Sequence, residues 1–292
     1  MALVIDALGF PGQGVDPVAT VTVLVEHCDH PLAQLVAEVT EGVELNAAAL
    51  TDTRIAQPCV VAAGLIAAEG RSAELLLGHS LGEITACAQA EVITAEAAVR
   101  LVALRAQIGT RAVIDRPGMM VAIMRLDLAT VEWIRRLAVG RTGGLLDVAV
   151  VNSDRQTVLT GDRAAATMAV DLAFEAGGKG RRLGIGGAFH SPLLAPAIAE
   201  FEDAIAACAP AAPSVPVVCS TGPILTDATE IAPALAASLV RPVHWPDAVR
   251  RAVDLGVSRV LDAGPGETLA NLAGHFASPP TLPLAAVDPS LG

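Results

Sequence analysis

The sequence predicts an α/β protein in two parts: a large domain built on a parallel sheet with flanking helices, and a small domain inserted into it. Three observations predict this. Short apolar runs alternate with longer helical patterns over most of the chain, the order that builds a parallel sheet. Near residue 116 the pattern changes to strand, helix, strand, strand, helix, strand, and near 187 it changes back. With 292 residues, 53% of them hydrophobic, the chain is long enough for both cores.

Residues 2–10 read as an apolar strand ending in "FPGQG", where Pro11, Gly12 and Gly14 mark a tight turn. Helical patterns follow over 18–26, 31–39 and 56–69. "AELLL" (73–77) reads as a buried strand, Gly78 as a break and "LGEITACAQA" as a helix. Then come "MMVAIM" (119–124) as a strand, "LATVEWIRRLA" as a helix, and "LDVAVVNS" and "TVLTG" as strands. "AAATMAVDLAFEAG" reads as a helix and "RRLGI" as the closing strand. That βαββαβ order is the ferredoxin-like signature, and glycine-containing turns at 117–118 and 184–187 bound it. Residues 117–187 are therefore expected to be an inserted ferredoxin-like domain, with 1–116 and 188–292 forming the large one. Beyond it, "FHSPLLAPAIAEFEDAIAAC" reads as helical, "SVPVVCS" and "VSRVLDAG" as strands, and "TLANLAGHF" as a helix.

Composition narrows the function. A net charge of −12 and the absence of tyrosine argue against nucleic acid, which calls for a basic stripe and stacking aromatics. The apolar runs are short, well below the roughly 18–20 residues needed to cross a bilayer, and the N-terminus lacks a basic leader. A cytoplasmic location, away from membranes, is expected. Five cysteines with no C-x-x-C pair indicate neither a disulfide framework nor a zinc site, and buried hydrophobes are the expected role. Cys28, between His27 and His30, has no second cysteine nearby, so no metal is expected.

Gly78-His79-Ser80-Leu81-Gly82 fits G-x-S-x-G between a strand and a helix, the context of a nucleophile elbow. The glycines remove side chains that would clash in a strained turn, and the helix N-terminus offers N–H groups to an oxyanion. The alternative is that Ser80 merely caps the helix. A nucleophilic serine needs a base. His79 is adjacent and points away, His27 and His30 lie in a polar segment, and His275 lies in a helical stretch near the C-terminus. His190, in "GIGGAFHSPLL", lies where the small domain ends, at a cleft between two domains.

Together these residues resemble the malonyl-CoA:acyl-carrier-protein transacylase family, including the acyltransferase domains of polyketide synthases. The resemblance runs through "FPGQG", "AQP" (56–58), "GHSLGE" (78–83), "VRLVALRAQ" (99–107), "VNSDRQTVLTG" (151–161), "GAFHSPLL" (187–194), "RPVHW" (241–245) and "DAGPGETL" (262–269). It implies an α/β-hydrolase-like large domain and ping-pong transfer of a malonyl group from malonyl-CoA, the substrate, to the phosphopantetheine thiol of an acyl carrier protein, with no bound cofactor. It implies Ser80 as nucleophile, His190 as general base, and the backbone N–H groups of Gln13 and Leu81 as the oxyanion hole. His190 would be oriented by the backbone carbonyl of His244. Arg105 would pair with the free malonyl carboxylate, as a guanidinium fork does; read from composition alone it is an ordinary solvated helix residue. Asn152 and Gln156 match supporting positions on the small domain. Gln57 matches a cleft-lining position, with a buried helix-start role the alternative. Phe189 and Leu81 match the malonyl type over the methylmalonyl type.

Two departures stand out: "GQGVDP" replaces the family's "GQGSQ", and the segment before "AQP" is short. The chain ends soon after the last motif, so a discrete, monomeric enzyme acting on a separate carrier is expected. Carriers are acidic, as is this chain, so docking needs a local basic patch. Lys179, Arg181 and Arg182 are the candidates, with Arg155, Arg163, Arg111 and Arg116. The competing readings are an esterase using His275 and Asp262, an editing thioesterase using the same Ser-His pair with water as acceptor, and a non-catalytic carrier-binding scaffold. Arg105 discriminates the thioesterase, since a dicarboxylate clamp suits malonyl loading.

Overall fold

Short continuous apolar runs, buried on both faces, make the central sheet. In the computed structural model, which describes residues 5–115, 118–275 and 281–283, Asp6–Phe10 forms β1. It is followed by α1 (Pro17–Glu26), α2 (Pro31–Val39), α3 (Thr53–Ala67), β2 (Leu75–Gly78), α4 (Gly82–Gln89) and α5 (Ala95–Asp115). Then come β3 (Gly118–Met124), α6 (Leu128–Thr142), β4 (Leu146–Ser153), β5 (Gln156–Asp162), α7 (Arg163–Glu175) and β6 (Lys179–Arg182). The chain continues through α8 (Ile198–Ala207), β7 (Val217–Cys219), β8 (Ile224–Leu225), α9 (Ala228–Ala237), β9 (Val243–His244) and α10 (Trp245–Asp254). It closes with β10 (Arg259–Asp262), α11 (Thr268–Ala273) and β11 (Thr281–Pro283). This is an α/β fold with two sheets. Among the described residues no helix is long and apolar enough to cross a membrane.

The first sheet has the order β11-β10-β1-β2-β7-β8 and is parallel except for the β7–β8 pair. Alternation sends its side chains to two cores. Leu8, Phe10 and Leu76 pack with α3, nearly all of which is buried, while Ala7, Leu75 and Leu77 pack with Trp245, Ala248 and Val249 of α10. The second sheet has the order β6-β3-β5-β4-β9, antiparallel throughout except for the parallel β4–β9 pair. Val121, Ile123 and Leu159 face α6 and α7, and Met120, Ala122, Val150 and Val158 face the other way. That second face is one wall of the cleft.

The structure departs from expectation in four places. The expected "RRLGI" strand is β6 instead, two residues earlier, and Leu183–Ile185 run on to line the cleft. The expected long helix over 189–208 is only α8: His190 has φ +59, and Pro192 and Pro196 hold 192–197 in a 3-10 turn. Between Ser220 and Val257, where no element is expected, lie β8, α9, β9 and α10, and β9 adds to the small sheet in parallel with β4. Cys59, Cys87 and Cys219 are buried as expected, but Cys28 is exposed and Cys208 is half-buried. His27 bonds Val23 O, and His30 caps α2 through Leu32 N–H.

Two glycines let the start of α4 meet its neighbours, Gly78 where it meets β2 and Gly82 where it meets the end of β1. A Cβ on Gly78 would lie 2.3 Å from Glu83 Cα, and one on Gly82 would lie 2.0 Å from the Phe10 carbonyl oxygen. Both neighbours are backbone and cannot swing aside. Gly78→Ala and Gly82→Ala should each lose about 3 kcal/mol or more in denaturant unfolding. Gly140→Ala, in open space on α6, should gain about 0.5–1 kcal/mol from helix propensity. Equal effects at the three positions would show that close approach does not decide the elbow.

Candidate active site

The elbow between β2 and α4 carries Ser80 at φ +54, a left-handed conformation that is costly for a residue with a Cβ. Backbone bonds hold it there: His79 N–H to Phe10 O at 2.9 Å, Gly82 N–H to His79 O at 2.9 Å and Glu83 N–H to Ser80 O at 2.9 Å. Ser80 N–H also donates to Ser220 Oγ at 3.1 Å. Ser220 Oγ–H in turn donates to Glu83 Oε1 at 2.9 Å, and Thr221 gives Glu83 its N–H at 2.8 Å and its hydroxyl at 2.9 Å. Burial pushes the Glu83 carboxyl upward in pKa, against the pull of these donors and of Arg105.

The Ser80 hydroxyl lies 2.6 Å from His190 Nε2. His190 Nδ1 is 2.9 Å from both Ser238 O and Arg241 O. Two carbonyls can only accept, so Nδ1 carries the proton and Nε2 is free to take the one on Ser80. These carbonyls replace the expected one of His244. Ser238 and Arg241 lie at and just beyond the end of α9, where helix carbonyls lack intrahelical partners. His244 is drawn into β9 instead, its N–H on Ser220 O at 2.8 Å. Burial first, and the Arg105 charge second, depress His190 to a pKa of about 3. It is neutral at physiological pH, as a base must be.

Arg105 projects from the middle of α5 and is 2% exposed, not the solvated residue that composition alone suggests. Its Nη2 is 3.5 Å from Ser80 Oγ, and its guanidinium lies 4.4 Å above the Phe189 ring. Among the described residues no carboxylate lies within ion-pair distance of it. Burial lowers its pKa to about 10, opposed by the charge on Glu83. A buried cation without a direct counter-ion, beside a serine hydroxyl, has the chemistry to receive an anion.

A cleft of about 480 Å³ joins these groups, lined by Gln13, Ser80, Leu81, Arg105, Phe189 and His190 on one side and Asn152, Gln156 and Val158 on the other. Gln13 is tied back by its side chain, with Nε2 on Thr53 Oγ1 at 3.1 Å and Oε1 accepting from Gln57 at 3.2 Å. Gln57 itself is fully buried in the first turns of α3 behind Gln13, so the helix-start alternative holds over the cleft-lining one. Asn152 Oδ1 accepts from His79 Nε2 at 2.8 Å, and the His79 ring rests against Trp245, which links the two sheets.

Of the basic candidates, Lys179, Arg181 and Arg182 are exposed on the edge strand β6, and Arg181 reaches the cleft. Arg111 is paired with Glu200 at 2.7 Å, and Arg116 lies outside the described residues. The esterase set does not assemble. Asp262 accepts N–H bonds from Gly264, Leu269 and Ala270, and exposed His275 lies outside the cleft. The sequence attaches no role to Glu83, Ser220, Ser238 or Arg241, although Glu83 stands in "GHSLGE" and Arg241 in "RPVHW".

Residues 20–274 match the family model described as an acyl transferase domain. The malonyl CoA-acyl carrier protein transacylase of Salmonella typhimurium is 30% identical over 284 residues, 91% of each chain. Polyketide synthase GfsB of Streptomyces halstedii is 34% identical over 213 residues, 72% of this chain, and the match spans 4% of that protein's length. The crystal structure of the malonyl-CoA:acyl carrier protein transacylase of Xanthomonas oryzae superposes with a TM-score of 0.86 at 31% identity, covering 99% of this chain and 96% of that one. With a serine, a histidine and a buried arginine meeting in the cleft, the chain belongs to the acyltransferase family of the malonyl CoA-acyl carrier protein transacylases.

Proposed function

We propose that this chain moves a malonyl group from malonyl-CoA to the phosphopantetheine thiol of a separate acyl carrier protein, by way of an acyl-serine on Ser80 and with no bound cofactor. The observation that carries the reading is Arg105: a buried guanidinium, unpaired by any described carboxylate, 3.5 Å from the Ser80 hydroxyl. A malonyl carboxylate completes its fork while the thioester carbonyl stays within reach of Ser80.

His190 Nε2 takes the Ser80 proton as Oγ attacks the thioester carbonyl. The tetrahedral oxyanion lies against the backbone N–H groups of Gln13 and Leu81, each contributing about 3–4 kcal/mol in comparable enzymes. Collapse breaks the C–S bond, and His190 returns the proton to the CoA thiolate. The carrier thiol then runs the same steps in reverse. The malonyl carboxylate has a second effect: it neutralises the charge that depresses His190, so the imidazolium forms more easily when the right substrate is bound. Phe189 confines the space beside the acyl group, while Asn152 and Gln57 hold His79 and Gln13 in place.

The proposed architecture is a hydrolase-like large domain, 1–116 and 188–292, with a ferredoxin-like domain, 117–187, inserted in it. The observed strand order of the small sheet and its helices on one face support this. Lys179, Arg181 and Arg182 on β6 are the proposed landing site for an acidic carrier.

Intact protein incubated with malonyl-CoA should gain about 86 Da, one malonyl group less the displaced hydrogen, and Ser80→Ala should gain nothing; an adduct on that variant would sink the mechanism. With p-nitrophenyl acetate, an ester lacking the second carboxylate, wild-type acylation should hold its rate from about pH 8 to pH 5, because His190 stays neutral. Arg105→Gln removes the repulsion, raises the His190 pKa and moves the acid limb to higher pH; superimposable profiles would refute the coupling. Arg181→Glu with Arg182→Glu should slow transfer to the carrier about tenfold while sparing acylation by malonyl-CoA. Equal loss in both half-reactions would place these arginines elsewhere in the mechanism.

A further inference from the structure

Arg105 has a support that the catalytic reading leaves unexplained. Its guanidinium rests on the Phe189 ring, and the ring itself rests in a slot between two glycines. A Cβ on Gly109 would lie 2.2 Å from Phe189 Cζ and 2.9 Å from both Cε atoms. One on Gly187 would lie 2.5 Å from Cε2. Gly109 is buried four residues after Arg105 on α5, so the two share one helix face, one supplying the guanidinium and the other the floor under the ring. A mid-helix glycine is costly for the helix, and here its lack of a side chain is filled by an aromatic ring.

We infer that Gly109 is a specificity-determining position: by seating Phe189 it fixes where the Arg105 guanidinium meets the carboxylate of the acyl group. This inference rests on the reading of Arg105 as a carboxylate clamp. Any larger residue at 109 drives the ring outward by more than about 1 Å, since 2.2 Å must become an ordinary contact of at least 3.4 Å. With Gly187 also close against the ring, room to escape is small, and any shift disturbs the stack of the Arg105 guanidinium on its face. A displacement of that size is enough to spoil a bidentate fork. Acetyl has no carboxylate and depends on the fork far less.

The test uses Gly109→Ala, Phe189→Leu and the double variant, with wild type as reference. Loading of Ser80 from malonyl-CoA and from acetyl-CoA is followed by intact mass. Gly109→Ala should lower the malonyl-to-acetyl ratio about tenfold or more, chiefly through a higher KM for malonyl-CoA. Adding Phe189→Leu, which shortens the side chain over position 109, should restore most of that ratio. Thermal unfolding supplies a readout independent of substrate. Gly109→Ala should lower Tm where Phe189 is present and leave it unchanged or higher in the Phe189→Leu background, where helix propensity alone remains. A wild-type ratio in Gly109→Ala, or the same Tm change in both backgrounds, would overturn the inference. A wild-type enzyme that loads acetyl as well as malonyl would sink the clamp reading, while the Tm cycle would still judge the seat of Phe189.

Discussion

The site depends on holding one serine in a backbone conformation that it would not choose. Ser80 sits at φ +54 in a turn where α4 lies so close to β2 at Gly78, and to the end of β1 at Gly82, that neither position has room for a Cβ. The strain is offset by a hydrogen-bond relay from Ser80 N–H to Ser220 Oγ and on to the buried Glu83 carboxylate. Glu83 belongs to the same helix that the elbow starts. The nucleophile is thus fixed from both its own helix and the neighbouring strand β7, through the loop that follows it.

Electrostatics then gives that position its chemistry. His190, Arg105 and Glu83 are all buried; burial shifts each one, the Glu83 and Arg105 charges favour one another, and the Arg105 charge adds to the depression of His190. Glu83 supports the charge on Arg105 without lining the cleft, and burial first, with Arg105 second, keeps His190 neutral and able to accept a proton. Two carbonyls at the end of α9 orient the imidazole where other serine enzymes use a carboxylate. A neutral orienting group adds no negative charge beside the acyl group, which in the proposed reaction brings its own carboxylate.

The small sheet does more than cap the cleft. Its apolar face forms one wall, and it is tied to the elbow twice: by Asn152 on His79, and by β9, whose His244 N–H bonds Ser220 O while the strand pairs with β4. Relative motion of the two sheets would therefore act directly on the residues flanking Ser80.

Much of this was legible in the sequence because the signals are local. Short apolar runs marked β1 and β2, the βαββαβ order marked the small sheet, and Gly78 and Gly82 around Ser80 marked the elbow. The strands β8 and β9 were not legible, since two-residue strands leave no periodic pattern, whereas α10 carries a helical stripe in Trp245, Ala248, Val249 and Ala252 that went unassigned. The carbonyls that orient His190 carried no side-chain signal at all. Sequence alone determined which groups are present and which turns the backbone must make, because glycines, prolines and apolar spacing act on neighbouring residues. Only tertiary structure decided that Ser238 and Arg241 face His190, that Arg105 is buried without a described counter-ion, and that Gly109 lies under Phe189. Those pairings join residues far apart in the chain, and packing, not local preference, brings them together.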